Sequence, residues 1–102
     1  MDKILKQIGL CYTAKKTVLG IDNIVASMRT KKVGLVIMSG SCSFNTQKLV
    51  QDKAKTYNTR VIIIDEFDGN TISNAIGKEN VKVIGVKDKG FKRMIIHSIK
   101  GE

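Results

Sequence analysis

Two short runs, "VGLVIM" at residues 33–38 and "RVIIID" at residues 60–65, limit what this chain can become. Both are rich in β-branched residues and apolar without alternation, the pattern of strands covered on both faces. The segments around them have the other periodicity. "KILKQIGLCYTAKK" places Ile4, Leu5, Ile8 and Cys11 at helical spacing with lysines opposite, which predicts an amphipathic helix over residues 2 to about 14. "TVLG" follows as a short strand, and "IDNIVASMRTKK" sets Ile21, Ile24, Val25 and Met28 on one face of a second helix with a basic last turn. "SFNTQKLVQDKAKTYN" reads as a third helix with Ser43 as N-cap and Leu49, Val50 and Ala54 inward. "NTISNAIG" is a short helix ended by Gly77, "VKVIGV" an alternating strand, and "DKGFKRMIIHSIK" a closing helix.

Strand and helix therefore alternate from end to end, which predicts an α/β fold: a three-layer α/β/α sandwich around a mixed sheet of about four strands. No repeat, low-complexity tract or linker divides the 102 residues, and there is no proline, so residues 1–102 read as a single domain. Cys11 and Cys42 form no C-x-x-C pair and follow no secretory leader, so free thiols and a cytoplasmic location are expected. No apolar run approaches the roughly 20 residues of a membrane span. No membrane partner is expected.

The net charge of +9 is unevenly placed, with eleven Lys/Arg against three acids in residues 1–64 and seven against six in residues 65–102. Such asymmetry favours a polyanionic partner. Three phenylalanines, two tyrosines and no tryptophan argue against a stacking platform for single strands.

The crossing "VGLVIMSGSCSFNTQKLV" is the place to look for chemistry, because unpaired N–H groups converge where a strand enters a helix through small residues. It is not a P-loop: only Gly40 is present, and Lys48 lies inside the next helix. Cys42 at a helix start is the one candidate nucleophile, with a thiol pKa expected to be lowered, for a small phosphoryl-transfer or thiol enzyme. "CSFNTQK" lacks the arginine of a C-x5-R phosphate clamp, and a small buried cysteine in a turn is the plainer reading. His97, the lone histidine, reads as structural, and "DEFD" at 65–68 as a solvated acidic turn without the D-x-[DN]-x-[DN]-G loop of a calcium site.

"GIDNIVASMRTKKVGLVIMSGSCSFNTQKL" together with "NAIGK" and "GVKDKGF" resembles the small bacterial members of the ribosomal L7Ae/L30e family, over residues 2 to about 94. The resemblance implies the α/β/α sandwich, no catalysis, no cofactor, no small-molecule substrate, and binding of structured RNA, typically a kink-turn with tandem G·A pairs, ribosomal RNA included. The family reads RNA from three loops. The first, a glycine followed by an Asn–Glu pair and a lysine three residues on, maps to Gly20, Asp22, Asn23 and Ala26. The second, beside the pocket for an extruded base, maps to Ser39, Gly40, Ser41, Cys42 and Ser43. The third maps to "GKENVKV", where Lys78, Asn80 and Lys82 supply donors.

The first loop departs from the family pattern, since Asp22 cannot donate unless protonated and Ala26 offers neither charge nor hydrogen bond. Lys15, Lys16, Lys31 and Lys32, expected near the RNA face, would then make phosphate contacts that position without reading sequence. The expectation is a non-enzymatic, cytoplasmic, ribosome-associated protein that binds kink-turn-like RNA with relaxed specificity. The alternatives are the Cys42 enzyme and a family member that has exchanged RNA for a protein partner.

Overall fold

In the computed structural model, which describes residues 2–101, nine elements alternate as expected. They are α1 (Asp2–Thr13), β1 (Thr17–Leu19), α2 (Ile21–Arg29), β2 (Leu35–Ser39), α3 (Phe44–Thr56), β3 (Arg60–Ile64), α4 (Thr71–Ile76), β4 (Val83–Val86) and α5 (Lys89–Gly101). The sheet order is β1-β4-β2-β3. β2 runs parallel to β3 and antiparallel to β4, and β1 is antiparallel to β4, so the sheet is mixed and has four strands.

Side-chain alternation along β2 divides the interior into two layers. Leu35 and Ile37 join Ile4, Ile8 and Cys11 of α1, Ile72 and Ile76 of α4 and Ile95 of α5. Val36 and Met38 point the other way, to Ile24 and Met28 of α2 and Val50 and Ala54 of α3. The helices thus divide into α1, α4 and α5 on one face and α2 and α3 on the other. Each layer buries several fully enclosed branched side chains, worth about 1.5–3 kcal/mol apiece.

Three expectations need adjustment. "RVIIID" is covered on both faces but lies at the edge of the sheet: Arg60 is exposed, and Val61, Ile62 and Ile63, though packed against the two core layers, are half-buried because β3 pairs on one side alone. "VKVIGV" is the reverse case, since all four residues of β4 are buried between β1 and β2. Leu49 is not inward but 44% exposed, because α3 covers the sheet with the adjacent stripe through Val50 and Ala54. The caps are as expected: Ser43 Oγ accepts from Thr46 N–H at 3.3 Å, and Gly77 ends α4 in the left-handed region.

One glycine is set by a close approach. A Cβ on Gly40 would stand 2.7 Å from the Cα of Asp65, where the crossings that follow β2 and β3 touch. That nearest atom is backbone and not the end of a flexible side chain, so the backbone must move. Gly40→Ala is expected to cost about 1–3 kcal/mol as overpacking, lowering Tm by roughly 5–20 °C, measured by thermal unfolding.

Candidate functional site

The strand register gathers four connections at one pole. Leu19 pairs with Ile84, Met38 with both Val83 and Ile63, and Ser39 with Ile64. The ends of β1, β2 and β3 and the start of β4 therefore lie side by side. Residues 20–23, 40–43, 65–70 and 77–82 extend from them.

Between three of these connections lies a cleft of about 340 Å³. Gly20 and Ile21 supply one wall, Cys42, Ser43 and Thr46 a second, and Asn80 to Val83 the third. Of the residues mapped from sequence, Gly20, Cys42, Ser43, Asn80 and Lys82 line this cleft. Asp22, Asn23, Ser41 and Lys78 are exposed on the same pole without lining the cleft. Lys15, Lys16, Lys31 and Lys32 are not there. They precede β1 or β2, whose starts pair with the end of β4, so they occupy the opposite pole, roughly 15–20 Å away at 3.3 Å per strand residue.

Local geometry fixes each wall. Gly20 has φ 88°, a conformation a side chain rarely adopts, and its carbonyl accepts from Ile24 N–H at 2.9 Å to start α2. Asn23 Nδ2 donates back to the Leu19 carbonyl at 3.1 Å, so its amide N–H group is partly committed and Oδ1 remains for a ligand. Asn80 has φ 59°, which asparagine tolerates better than most residues.

Two buried serines, Ser39 and Ser73, hold the loops from beneath. Ser39 Oγ lies 2.8 Å from the Phe67 carbonyl, 2.9 Å from that of Asp68 and 2.7 Å from Ser41 Oγ, and it accepts from Ser41 N–H at 3.2 Å. Its N–H donates to the Lys82 carbonyl at 2.8 Å. One residue thereby ties the second loop to the 65–68 turn and to the third loop. Ser73 does the same for the third loop, accepting from Val81 N–H at 2.7 Å and donating to its carbonyl at 3.0 Å. Gln47 Nε2 donates to the Cys42 carbonyl at 3.0 Å. Thr46, Gln47 and Ser73 were not singled out from sequence, and only the small-residue character of the turns hinted at such backing.

Cys42 is 8% exposed, and its thiol lies 3.7 Å from the Lys82 carbonyl. Burial pushes its pKa above the ordinary value despite nearby Lys82 and a backbone hydrogen bond with Ser39. The lowered pKa expected of a nucleophile at a helix start is therefore corrected: desolvation is the largest cause and outweighs both lowering ones. Cys11 is pushed further, to about 11, by burial and by Asp88. Both thiols are free. The "DEFD" turn keeps Asp65, Glu66 and Asp68 exposed, while Phe67 enters the core. Asp68 Oδ1 accepts from Asn70 N–H and Thr71 Oγ1, contacts that hold its carboxyl below the usual range. Among the described residues no group of three metal-ligating side chains assembles, and no helix is long and apolar enough to cross a membrane.

Charge separates the poles. The four connections at this pole carry Asp22, Asp65, Glu66, Asp68 and Glu79 against Lys78 and Lys82, and the three that bound the cleft carry Asp22 and Glu79 against the same two lysines. At the opposite pole, residues 14–17, 29–34, 53–60 and 86–93 carry twelve basic residues against one acid, Asp88.

Comparison with known proteins matches this arrangement to one family. The profile of the Ribosomal protein L7Ae/L30e/S12e/Gadd45 family matches residues 2–96. The chain is 33% identical over 99 residues to the RNA-binding protein YlxQ of Enterococcus faecium, covering 97% of this chain and 93% of that one. It is 32% identical to the RNA-binding protein YlxQ of Bacillus subtilis (strain 168), covering 87% of each. Among solved structures, a protein of unknown function from Bacillus halodurans C superposes with TM-score 0.89 at 33% identity, covering 96% of this chain and 97% of that one. The 15.5kD RNA binding protein of Giardia lamblia has TM-score 0.78 at 10% identity, over 95% and 82%, and shares the fold. With a family profile spanning nearly its whole length and two relatives above 30% identity, this chain belongs to the Ribosomal protein L7Ae/L30e/S12e/Gadd45 family.

Proposed function

We propose that residues 1–102 form a single, non-enzymatic, cytoplasmic RNA-binding domain that holds kink-turn-like structured RNA, ribosomal RNA included, in the cleft between its three loops. The observation that carries this reading is the cleft itself. Three connections far apart in sequence converge on about 340 Å³, room for an unstacked base, with Asn80 and Lys82 as donors on one wall and the Ser43 turn on another. The names of the relatives in Enterococcus faecium and Bacillus subtilis support RNA as the ligand class.

The chemistry of the pole favours base and shape contacts over phosphate contacts. The connections that bound the cleft carry two acids against two lysines, and the neighbouring 65–70 turn adds three more acids, so the pole offers a phosphate backbone little net attraction and binding there rests on hydrogen bonds within the cleft. Asp22, Asn23 and Ala26 leave the first loop with two acceptor groups and no cation. Relaxed specificity for the G·A pairs follows. A thiol enzyme at Cys42 is disfavoured by the buried, poorly ionised sulfur.

Asn80→Gly keeps the left-handed backbone and removes only the side chain, so its effect on binding reads the amide contact. With Lys82→Gln, affinity for a kink-turn RNA in fluorescence anisotropy is expected to fall by about 1–3 kcal/mol without loss of Tm. Unchanged affinity would place the RNA elsewhere.

The departures in the first loop can be reversed. Asp22→Asn, Asn23→Glu and Ala26→Lys together supply a donor, an ionised acceptor and a charge-assisted bond. The triple variant is expected to prefer a kink-turn over the same RNA lacking its G·A pairs by a ratio at least about tenfold above the parent's, roughly 1.4 kcal/mol. A parent that discriminates as well as the variant defeats this account of the first loop.

The thiols give an independent check. A raised pKa depletes the thiolate at neutral pH, so iodoacetamide at pH 7.5 is expected to alkylate Cys11 and Cys42 at least about tenfold more slowly than in the unfolded chain, with rates rising above pH 9. Rapid labelling of Cys42 in the folded protein, followed by mass spectrometry, would restore the enzyme reading.

A further inference from the structure

The basic pole contains a cleft of its own. The α2–β2 turn and the β4–α5 turn enclose about 100 Å³ over a floor of Gly34 and Val86, rimmed by Lys31, Lys32, Lys87, Lys89 and Lys92 and by one acid, Asp88. The two turns are joined by the bond from Gly34 N–H to the Val86 carbonyl at 3.2 Å. Lys16 adjoins them, its carbonyl accepting from Lys87 N–H at 2.8 Å. Lys92 lies across the floor: a Cβ on Gly34 would be 3.3 Å from its Cδ and 3.5 Å from its Nζ.

Folding alone gives little reason to collect cations there. Basic residues at the ends of α2 and α3 complement the negative ends of those helix dipoles, and Lys31 donates to the Tyr57 carbonyl at the end of α3. Lys87, Lys89 and Lys92 have no such excuse. They stand at the start of α5, where the dipole is positive and a cation is disfavoured. Asp88 is the only acid in either turn, and its carboxylate is engaged as a cap, accepting from Phe91 N–H at 2.9 Å. Among the described residues, none of the five lysines is paired with an acid. Like charges are thus held together against the helix field, a condition that an oxyanion in the cleft would relieve.

We propose that this cleft is a second RNA site, which holds backbone phosphates of a duplex segment while the three-loop pole holds another segment. The choice of RNA as occupant rests on the reading of the family pole above; the site itself does not. At about 100 Å³, against about 340 Å³ for the three-loop cleft, it suits a phosphoryl group better than a base with its sugar. The pole therefore grips without reading sequence. The remaining basic residues, Lys15, Arg29, Lys55 and Arg60 among them, extend the field beyond one phosphate, as a duplex requires. A lipid surface fits less well, since the exposed large apolar side chains, Leu10, Phe44, Leu49 and Met94, all lie outside the two turns.

The test compares two variants of equal net charge in the full chain: Lys32→Gln/Lys87→Gln/Lys89→Gln/Lys92→Gln at the pole, and Lys3→Gln/Lys6→Gln/Lys48→Gln/Lys100→Gln away from it. Each is titrated with a plain RNA duplex, a short-armed kink-turn RNA and phosphatidylserine vesicles over a salt series. The pole variant is expected to lose at least about tenfold in duplex affinity at low salt, and its slope of log affinity against log salt to flatten by about two. Its kink-turn affinity should stay within about threefold of the parent's, and the control variant should lose less than about threefold for the duplex. In the parent, native mass spectrometry should detect one protein holding both RNAs. Should the quadruple variant fail to fold, Lys87→Gln/Lys89→Gln is expected to give a smaller loss in the same direction.

Equal losses in the two quadruple variants would reduce the effect to net charge and overturn the site. Competition between duplex and kink-turn for one place, or vesicles bound more tightly than duplex through these lysines, would overturn it as well. Duplex binding lost in the pole variant, with kink-turn affinity unchanged by Asn80→Gly/Lys82→Gln, supports this site while removing RNA from the three-loop pole. Kink-turn affinity lost with Asn80→Gly/Lys82→Gln, and a duplex affinity untouched by the pole variant, do the reverse.

Discussion

Strand β2 is hydrogen-bonded along both edges, parallel to β3 on one side and antiparallel to β4 on the other, and all five of its residues are buried. The remaining architecture depends on that double pairing. Because β4 opposes β2 and β1 opposes β4, the ends of β1, β2 and β3 meet the start of β4 at one pole. Without the mixed sheet the three loops would be distributed over both ends, and no cleft would form from them. The same alternation sends Leu35 and Ile37 to one helical layer and Val36 and Met38 to the other, so a five-residue strand anchors both halves of the core.

The loops are held by polar groups rather than apolar ones. A buried hydroxyl without partners is costly, and Ser39 meets that demand by bonding to the 65–68 turn and to its own loop, while its backbone bonds to Lys82. Ser73 repeats the device under Val81. Gly40 allows the contact with Asp65 that brings these turns within reach. The result is a pocket whose walls are set before any ligand arrives, which lowers the ordering cost of binding.

Electrostatics gives the two ends opposite character. At physiological salt the Debye length is about 8 Å, shorter than the roughly 15–20 Å between poles, so the lysines around Lys87 scarcely offset the acids around Asp65. A ligand at the three-loop pole meets local acids and a shaped cleft; one at the other pole meets a field of cations. Net charge alone hides this division, because +9 is a sum over two surfaces of opposite character.

The sequence by itself determined the element order, the caps at Ser43 and Gly77, the buried stripes of α1 and α2 and the family, because all of these reside in local periodicity or contiguous wording. It could not place the strands. "RVIIID" is more apolar than "VKVIGV", yet the first is an edge and the second is central, since strand order follows from long-range pairing and not from composition. Lys15, Lys16, Lys31 and Lys32 sit near the loop residues in sequence but at the far pole in space, because a strand or helix carries the chain across the sheet between them. The Cys42 pKa turned the same way: a helix start suggests a reactive thiol, but burial beneath the third loop, a contact forty residues distant, decides its ionisation. What is periodic or adjacent was legible from the chain; what depends on which distant segments pair was decided only by the tertiary structure.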